Sequence, residues 1–281
     1  MREIRAEEIT ETVARLFLEA NYNLPEDVLA ALKKAAQSEE SPAAKEALGC
    51  LIENSAIALA EQIPLCQDCG VAVIFIDLGQ DVHITGGDLN AAINTGVTRA
   101  YTEGYLRKSM VKQPFSARVN TLNNTPAVVY IDIVPGEKIK IIALPKGGGA
   151  ENMSRLAMLT PAAGRQGIID LVVKTVDEAG ANPCPPVIVG VGIGGTAEKA
   201  MQLAKRALIR NVGVANPDLE TAGLERELLV QINDLGIGPL GYGGRTTALA
   251  VNIEVFPAHI ASLPVAVNIG CHSTRHKETV I

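Results

Sequence analysis

The sequence predicts a mixed α/β protein, with a helical N-terminal region over residues 1–63 followed by a mixed-sheet α/β body over residues 64–281. Three observations predict this class. Apolar residues recur at helical spacing before residue 64, short apolar runs typical of buried strands begin at residue 71, and helical and strand-like segments alternate from there. The two regions are also compatible with one continuous domain.

The N-terminal region predicts three helices. The first has apolar residues at helical spacing, namely Ile9, Val13, Leu16, Phe17 and Ala20. The second begins near Pro25. Ser41 and Pro42 form a cap and a first-turn proline, so a third helix is expected to run to about Ile63, where Pro64 stops it.

The body predicts further strands and helices. Strands are expected over 71–77, 126–134, 138–144, 186–192, 246–256 and 263–270. The second and third of these flank Pro135–Gly136, which predicts a hairpin. Helices are expected over 88–108, 161–180, 196–210 and 218–235.

Composition excludes several classes of protein. The chain has 281 residues and a net charge of −6, and its pI of about 5.4 argues against nucleic-acid binding. Aromatic residues make up only 3%, with no Trp, which argues against stacking platforms for bases or sugars. The start lacks a signal-peptide core and no apolar run reaches about 18 residues, so we expect a cytoplasmic protein without a membrane anchor.

The five cysteines are an odd number and widely spread, which does not indicate a secreted disulfide framework. In a reducing compartment such cysteines are buried filler, metal ligands or nucleophiles. Cys50 lies mid-helix beside Leu48 and Leu51 and is expected in the core. The other four are Cys66, Cys69, Cys184 and Cys271, which lie in loops at the ends of predicted elements.

Two glycine-rich segments are candidate anion sites. Gly190–Gly195 fits G-x-G-x-x-G between a strand and a helix, which is compatible with a dinucleotide, but the second strand that such a site needs is poor. A tight strand-to-helix turn is the favoured interpretation. The PKGGGAEN segment, 145–152, exposes several backbone N–H groups and is either an anion loop or a flexible turn.

Several motifs in order along the chain carry a family resemblance: PLCQDCG, GGGAEN, NPCPP, HIASLPVAVN and GCHSTRH. They resemble class I fumarases, which are iron–sulfur hydro-lyases, and more closely the α subunit of the two-subunit forms shared with L(+)-tartrate dehydratase. The resemblance implies that Cys66, Cys184 and Cys271 hold a 4Fe–4S cluster with one open iron, which acts as a Lewis acid. The implied reaction is reversible hydration of fumarate to L-malate, with L(+)-tartrate dehydration as the alternative.

The resemblance also implies site residues. Asp68 is the expected general acid/base, with a turn-capping residue as the alternative, and His259 is a second expected catalytic residue. Gln67, Arg107 and Gly148 are expected to bind the substrate dicarboxylate, Arg107 through a bidentate fork and Gly148 through its backbone N–H. A solvated residue at a helix end is the alternative for Arg107. His272, Arg275 and His276 flank Cys271 and are expected to support the site.

Two departures from the family pattern bear on the site. Position 69 is usually Thr and is Cys69 here, although the motif still assigns the ligand role to Cys66. Single-chain members carry a further domain that completes the site, so we expect a separate β subunit and a homodimer of α or an α2β2 assembly. The alternatives from other classes are a non-catalytic cluster carrier and an NAD(P)-dependent oxidoreductase.

Overall fold

The three predicted N-terminal helices form where the sequence places them. In this computed structural model, which describes residues 2–281, they are α1 (Ala6–Tyr22), α2 (Glu26–Ser38) and α3 (Pro42–Glu61). Pro25 occupies the N-cap position of α2, and the Ser41 hydroxyl accepts a hydrogen bond from Ala44 N at 3.4 Å at the start of α3. Capping and proline signals thus predict these helix starts well.

The other elements alternate along the chain. The remaining helices are α4 (Leu89–Glu103), α5 (Gly148–Glu151), α6 (Gly164–Ala179), α7 (Ala197–Ala207) and α8 (Leu219–Asp234). The strands are β1 (Arg2–Arg5), β2 (Val71–Gly79), β3 (Val82–Thr85), β4 (Val128–Val134), β5 (Ile139–Lys146), β6 (Arg155–Leu159), β7 (Val187–Gly194), β8 (Ala248–Phe256), β9 (Leu263–Gly270) and β10 (Lys277–Val280). The short strands β1, β3, β6 and β10 were not predicted. The predicted mixed α/β class is confirmed.

The chain divides into two compact units. The first contains the described residues up to Leu24, Ile57–Gly148 and Arg275–Ile281, and the second contains Pro25–Ala56 and Gly149–Thr274. This division differs from the predicted boundary near residue 64, because α1 belongs to the first unit and α2 to the second. Helical spacing identifies a helix but not the sheet on which it packs.

The first unit is built on a four-stranded sheet of order β10-β5-β2-β4. β2 is parallel to β4 and antiparallel to β5. The predicted hairpin between β4 and β5 is therefore wrong, since β2 lies between them and the turn at Pro135–Gly136 crosses over its end. That end is fixed there by hydrogen bonds from Gly79 N to Lys138 O at 2.9 Å and from Gln80 N to Val134 O at 2.9 Å.

The core of the first unit lies between this sheet and helices α1 and α4. Buried apolar side chains of α1 include those that the helical spacing predicts, and they pack with alternate residues of β2 and β5. The residues of this core include Ile9, Val13, Leu16, Phe17, Ile74, Ile76, Ile93, Val97, Tyr101, Ile139 and Ile141. This core fixes the position of the loop that joins α3 to β2.

The second unit is built on a four-stranded sheet of order β6-β9-β7-β8 with helices on both faces. Helices α6 and α8 cover one face, where the odd-numbered residues of β7 and β9 point. Helix α7 covers the other face, where Ala200 and Ala204 pack on Ala266.

The glycines of the Gly190–Gly195 motif serve this packing. A Cβ atom on Gly190 would lie 2.1 Å from Ala204 O, and one on Gly192 would lie 2.0 Å from Ala200 O. The backbone of α7 therefore occupies the space directly above these glycines. The favoured interpretation, a tight strand-to-helix connection, accounts for the motif without a dinucleotide.

The prediction that Cys50 lies in the core is wrong, since its side chain is exposed. Leu48 and Leu51 are buried and lie on the inner side of α3, three residues apart. Cys50 is two residues from Leu48, which turns its side chain about 200° around the helix from that of Leu48.

Among residues 2–281, no helix is long and apolar enough to cross a membrane.

Candidate active site

The loop Cys66–Gly70 of the first unit joins α3 to β2 and is held by hydrogen bonds from several directions. The Tyr101 hydroxyl donates to Cys69 O at 2.6 Å and lies 3.1 Å from Gly70 O. The Asn124 amide also donates to Gly70 O, at 3.1 Å. Burial raises the pKa of Tyr101, so the phenol remains a hydrogen-bond donor. The loop is therefore a fixed element and not a flexible connection.

Asp68 is held at both carboxylate oxygens. Oδ1 accepts a hydrogen bond from Gly70 N at 2.9 Å, and Oδ2 accepts one from Gly148 N at 2.7 Å. The bond from Gly70 N shows that Asp68 caps its own turn. The bond from Gly148 N also connects Asp68 to the GGG segment that follows β5. A carboxylate has about four acceptor positions, so two bonds leave capacity for a further proton donor. The Gly148 N–H that was predicted to bind substrate donates to Asp68.

Arg275 supports the same loop from the C-terminal end of the chain. Its side chain is 2% exposed, and its Nη2 donates to Asp68 O and to Asn21 Oδ1, both at 3.0 Å. Buried charged groups of this kind require hydrogen-bond partners. Arg275 therefore supports the loop by donating a hydrogen bond to its backbone at Asp68 O.

Cys69 and Cys66 occupy different environments. Cys69 is 1% exposed, its Sγ accepts a hydrogen bond from Arg107 N at 3.2 Å, and it lies 3.7 Å from Cys66 O. Burial raises the pKa of the Cys69 thiol, which favours the neutral form. Cys66 is only partly buried. The thiol that faces outward from the loop is therefore that of Cys66.

The segment carrying Arg107 lies beside this loop. The Arg107 side chain is exposed, and Asn124 Oδ1 accepts hydrogen bonds from Ser109 N at 2.8 Å and Met110 N at 3.2 Å. Asn124 is fully buried, so it connects this segment to Gly70 from inside the unit. Gln67 is also exposed. The first unit thus places the Arg107 backbone beside the loop that carries Cys66, Gln67 and Asp68.

Sequence reasoning missed Tyr101 and Asn124 as parts of this arrangement. Asn124 precedes Thr125–Pro126, in a segment whose residue types are those of an ordinary turn. Tyr101 is one of several apolar residues on α4. No local pattern indicates that either side chain contacts a loop more than 30 residues away, as the tertiary structure places them.

In the second unit, the loops of Cys184 and Cys271 are adjacent. His272 N donates to Cys184 O at 3.1 Å, which joins the loop before β7 to the loop after β9. Cys271 Sγ lies 3.1 Å from Ser273 Oγ. Cys184 is exposed and Cys271 is partly buried. Two of the three predicted cluster ligands are therefore neighbours within this unit.

The second unit does not bring His259 to Cys271. His259 lies in the exposed loop that precedes β9, whereas Cys271 follows the other end of that strand. Eight strand residues separate the two ends, a length of roughly 25 Å. His259 accepts a hydrogen bond from Ala261 N through Nδ1 at 3.2 Å and is otherwise exposed. Its catalytic role stays a prediction, without support from this geometry.

Glu151 of the GGGAEN segment belongs to a buried network in the second unit. Its carboxylate pairs with Lys205 Nζ at 2.5 Å and accepts from Asn268 Nδ2 at 3.0 Å. Asn268 also donates to Ser154 Oγ at 2.8 Å. Glu151 is therefore held within the second unit, just as Gly148 is held within the first.

The three cysteines that the resemblance assigns to an iron–sulfur cluster have the donor chemistry of such a group, since these clusters are held by thiolates. Within residues 2–281, no three side chains of His, Cys, Asp or Glu converge on a point that one ion could occupy. Cys66, Cys184 and Cys271 are free of disulfides and at least partly exposed.

Comparisons with known proteins identify a family and named relatives. A model of the family described as fumarate hydratase (Fumerase) matches residues 10–280. A Methanocaldococcus jannaschii protein provisionally named L(+)-tartrate dehydratase subunit alpha is 44% identical over 272 residues, 95% of each chain. Escherichia coli proteins named L(+)-tartrate dehydratase subunit alpha are similar at 33% identity in strain UTI89 and 32% in strain K12, over 95% of this chain and 88% of theirs.

Proposed function

Because this chain belongs to the fumarate hydratase (Fumerase) family and is a hydro-lyase, we propose that it is the α subunit of an enzyme that hydrates fumarate reversibly to L-malate. The observation that carries the proposal is the fixed Asp68 carboxylate, which lies two residues after Cys66 and accepts hydrogen bonds from Gly70 N and Gly148 N. A catalytic acid/base needs a fixed position beside the reacting atoms, and this loop provides it.

Cys66, Cys184 and Cys271 are proposed to bind a 4Fe–4S cluster. When bound, a cluster with one open iron supplies a Lewis acid for the substrate hydroxyl and carboxylate. The partial exposure of Cys66 and the burial of Cys69 support the choice of Cys66 as the ligand in its loop. The contact between the loops of Cys184 and Cys271 supports their shared role.

The other proposed residues bind the substrate or transfer its proton. Asp68 takes the proton from the carbon next to a substrate carboxylate during dehydration and returns it during hydration. Arg107 has a planar guanidinium group that can donate two parallel hydrogen bonds to a carboxylate. Gln67 lies beside Asp68 and can orient the substrate, whereas Gly148 positions Asp68 through its N–H.

L(+)-tartrate is the second candidate substrate. The names of the relatives at 44% and 33% identity favour it. Tartrate differs from malate by one hydroxyl group, and the residues that bind carboxylates would serve both. The proposal therefore specifies a small C4 dicarboxylate, with fumarate and malate as the first pair to be assayed.

The relatives carry the name subunit alpha, and we extend this to a separate β subunit that completes the active site here. A homodimer of α or an α2β2 assembly is proposed with it. A 4Fe–4S cluster and a dicarboxylate are thus the expected cofactor and substrate of the assembled enzyme.

The test uses the α chain co-expressed with its β subunit and purified without oxygen. We expect a brown chromophore with iron–sulfur absorption, which Cys66→Ser, Cys184→Ser and Cys271→Ser each reduce strongly and Cys50→Ser does not. Turnover is then compared on fumarate, L-malate and L(+)-tartrate. A colourless complex that hydrates fumarate at full rate would contradict the cluster assignment, and turnover of L(+)-tartrate alone would select the second candidate.

A further inference from the structure

Cys69 occupies a position between two backbone segments of the first unit. Its Sγ accepts a hydrogen bond from Arg107 N at 3.2 Å and lies 3.7 Å from Cys66 O, to which it can donate. A thiol has one weak donor and one weak acceptor, and both are used here. The side chain is 1% exposed, so water does not compete for either bond.

Both partners of the Cys69 sulfur belong to residues with a role in the proposed function. Cys66 is the proposed cluster ligand of this unit, and Arg107 is the proposed carboxylate ligand. Thirty-eight residues separate Cys69 from Arg107 in the sequence. The sulfur therefore connects two site residues that the chain itself leaves independent.

Resting on the proposed function, we propose that Cys69 is a positioning residue that fixes the Arg107 backbone relative to Cys66. It thereby sets where the substrate carboxylate is held relative to the cluster thiolate. Cys69 is 1% exposed and acts through its hydrogen bonds to these two residues. Its effect passes through Arg107, whose amide loses its acceptor when the sulfur is removed.

The surrounding contacts make this role separable from folding. Asn124 accepts hydrogen bonds from Ser109 N and Met110 N, so the segment stays anchored two and three residues beyond Arg107. Tyr101 and Asn124 continue to hold the loop at Cys69 O and Gly70 O. Cys69→Ala is therefore expected to loosen Arg107 locally while the unit remains folded.

The first measurement is amide hydrogen exchange at single-residue resolution on the cluster-free chain. Cys69→Ala is expected to speed exchange at the Arg107 amide about 3- to 10-fold, the size expected for one lost hydrogen bond. Cys69→Ser keeps a donor and an acceptor and is expected to stay near wild type. Cys50→Ala, at an exposed cysteine, is the matched control and should leave this amide unchanged.

The second measurement is steady-state kinetics of the loaded complex. Cys69→Ala is expected to raise KM for the dicarboxylate about 3- to 10-fold, with kcat and cluster absorption nearly unchanged, and Cys69→Ser is expected to restore KM. In an Arg107→Lys background the Cys69→Ala effect should shrink, because both changes act on the same contact.

Two results would overturn the proposal. One is unchanged Arg107 exchange and unchanged KM in Cys69→Ala. The other is loss of the cluster in Cys69→Ser together with its retention in Cys66→Ser, which would make Cys69 the ligand. If the complex turns over no dicarboxylate at all, the proposed function fails, whereas the exchange measurement still decides the positioning role.

Discussion

At the scale of single residues, the Cys66–Gly70 loop is defined by side chains that hold its backbone. Tyr101, Asn124 and Arg275 are each almost fully buried, and each donates to a carbonyl oxygen of the loop. Buried donors and acceptors are costly to leave without partners, so these bonds select one loop conformation. That conformation fixes the position of Asp68.

Asp68→Asn should remove the proposed proton transfer while the cluster is retained. An amide cannot act as the acid/base, and loss of such a group lowers rates by about 10²- to 10⁴-fold. The measurement is kcat of the loaded complex beside its iron–sulfur absorption. Asp177→Asn, the same chemical change at an exposed position of α6, is the control. Activity of Asp68→Asn near wild type would reassign Asp68 to a purely structural role.

Tyr101→Phe should destabilise the first unit. The change removes the donor to Cys69 O and to Gly70 O in a fully buried position, which costs about 1–3 kcal/mol. Urea unfolding followed by circular dichroism measures the loss. Tyr105→Phe is the matched control, because Tyr105 is 90% exposed and its change should be neutral. Equal midpoints for the two variants would show that the Tyr101 hydroxyl adds no stability.

At the scale of elements, the contact of α7 on β7 determines what the glycine motif does. Gly190 and Gly192 lie directly under the carbonyl oxygens of Ala204 and Ala200. A helix and a strand can approach this closely only where the strand lacks side chains. The motif thus serves packing in the second unit.

Gly192→Ala should destabilise the second unit, because a Cβ atom would lie 2.0 Å from Ala200 O and force α7 away from the sheet. Overpacking of this kind typically costs about 1–3 kcal/mol or more. Gly49→Ala is the control: no atom lies within 4 Å of its added Cβ, and alanine favours the helix by about 1 kcal/mol. Thermal melting compares them, and equal melting temperatures for Gly192→Ala and wild type would contradict the packing role.

The turn between α2 and α3 is held by Glu39. Its buried carboxylate accepts hydrogen bonds from Glu40 N at 2.9 Å, Ser41 N at 3.2 Å and Arg245 N at 2.8 Å. Burial acts to raise the pKa of Glu39, but these backbone N–H groups outweigh it, and the pKa is lowered below its ordinary value. The ionised form therefore stabilises the second unit.

Glu39→Gln should cost about 1–3 kcal/mol at pH 7. Because the folded-state pKa is lowered, this contribution is complete above the unfolded-state value of about 4.3 and is lost as the pH falls through the folded-state pKa. Urea midpoints of wild type and Glu39→Gln should therefore converge as the pH falls below the folded-state pKa of Glu39. Glu40→Gln, at an exposed ion pair with Arg245, is the control and should show a small difference at every pH.

At the scale of the whole molecule, the proposed enzyme depends on a second subunit. We expect the α chain with a reconstituted cluster to turn over dicarboxylates at a small fraction of the rate of the αβ complex. The expectation rests on the relatives, which are named subunit alpha, and on the proposal that a β subunit completes the active site. Anaerobic assays of α, β and the mixture check this, and full activity from α by itself would contradict it.

Much of the secondary structure could be predicted from local patterns. The starts of α2 at Glu26, directly after Pro25, and of α3 at Pro42 follow from proline and capping preferences, and the end of α6 follows from Gly180. The pairing of strands could not be predicted. The Pro135–Gly136 turn suggests a hairpin, but the register places β2 between β4 and β5, a long-range pairing that depends on the shared core.

The sequence by itself determined the family, the candidate thiolates and Asp68, because these depend on residue types in a fixed order along the chain. The tertiary structure decided what surrounds them. It buried Cys69 between Cys66 and Arg107, exposed Cys50, assigned the Gly148 N–H to Asp68, and separated His259 from Cys271 by the length of β9. Burial and hydrogen bonding between distant residues depend on how the sheets and helices pack, and no local pattern in the chain encodes those distances.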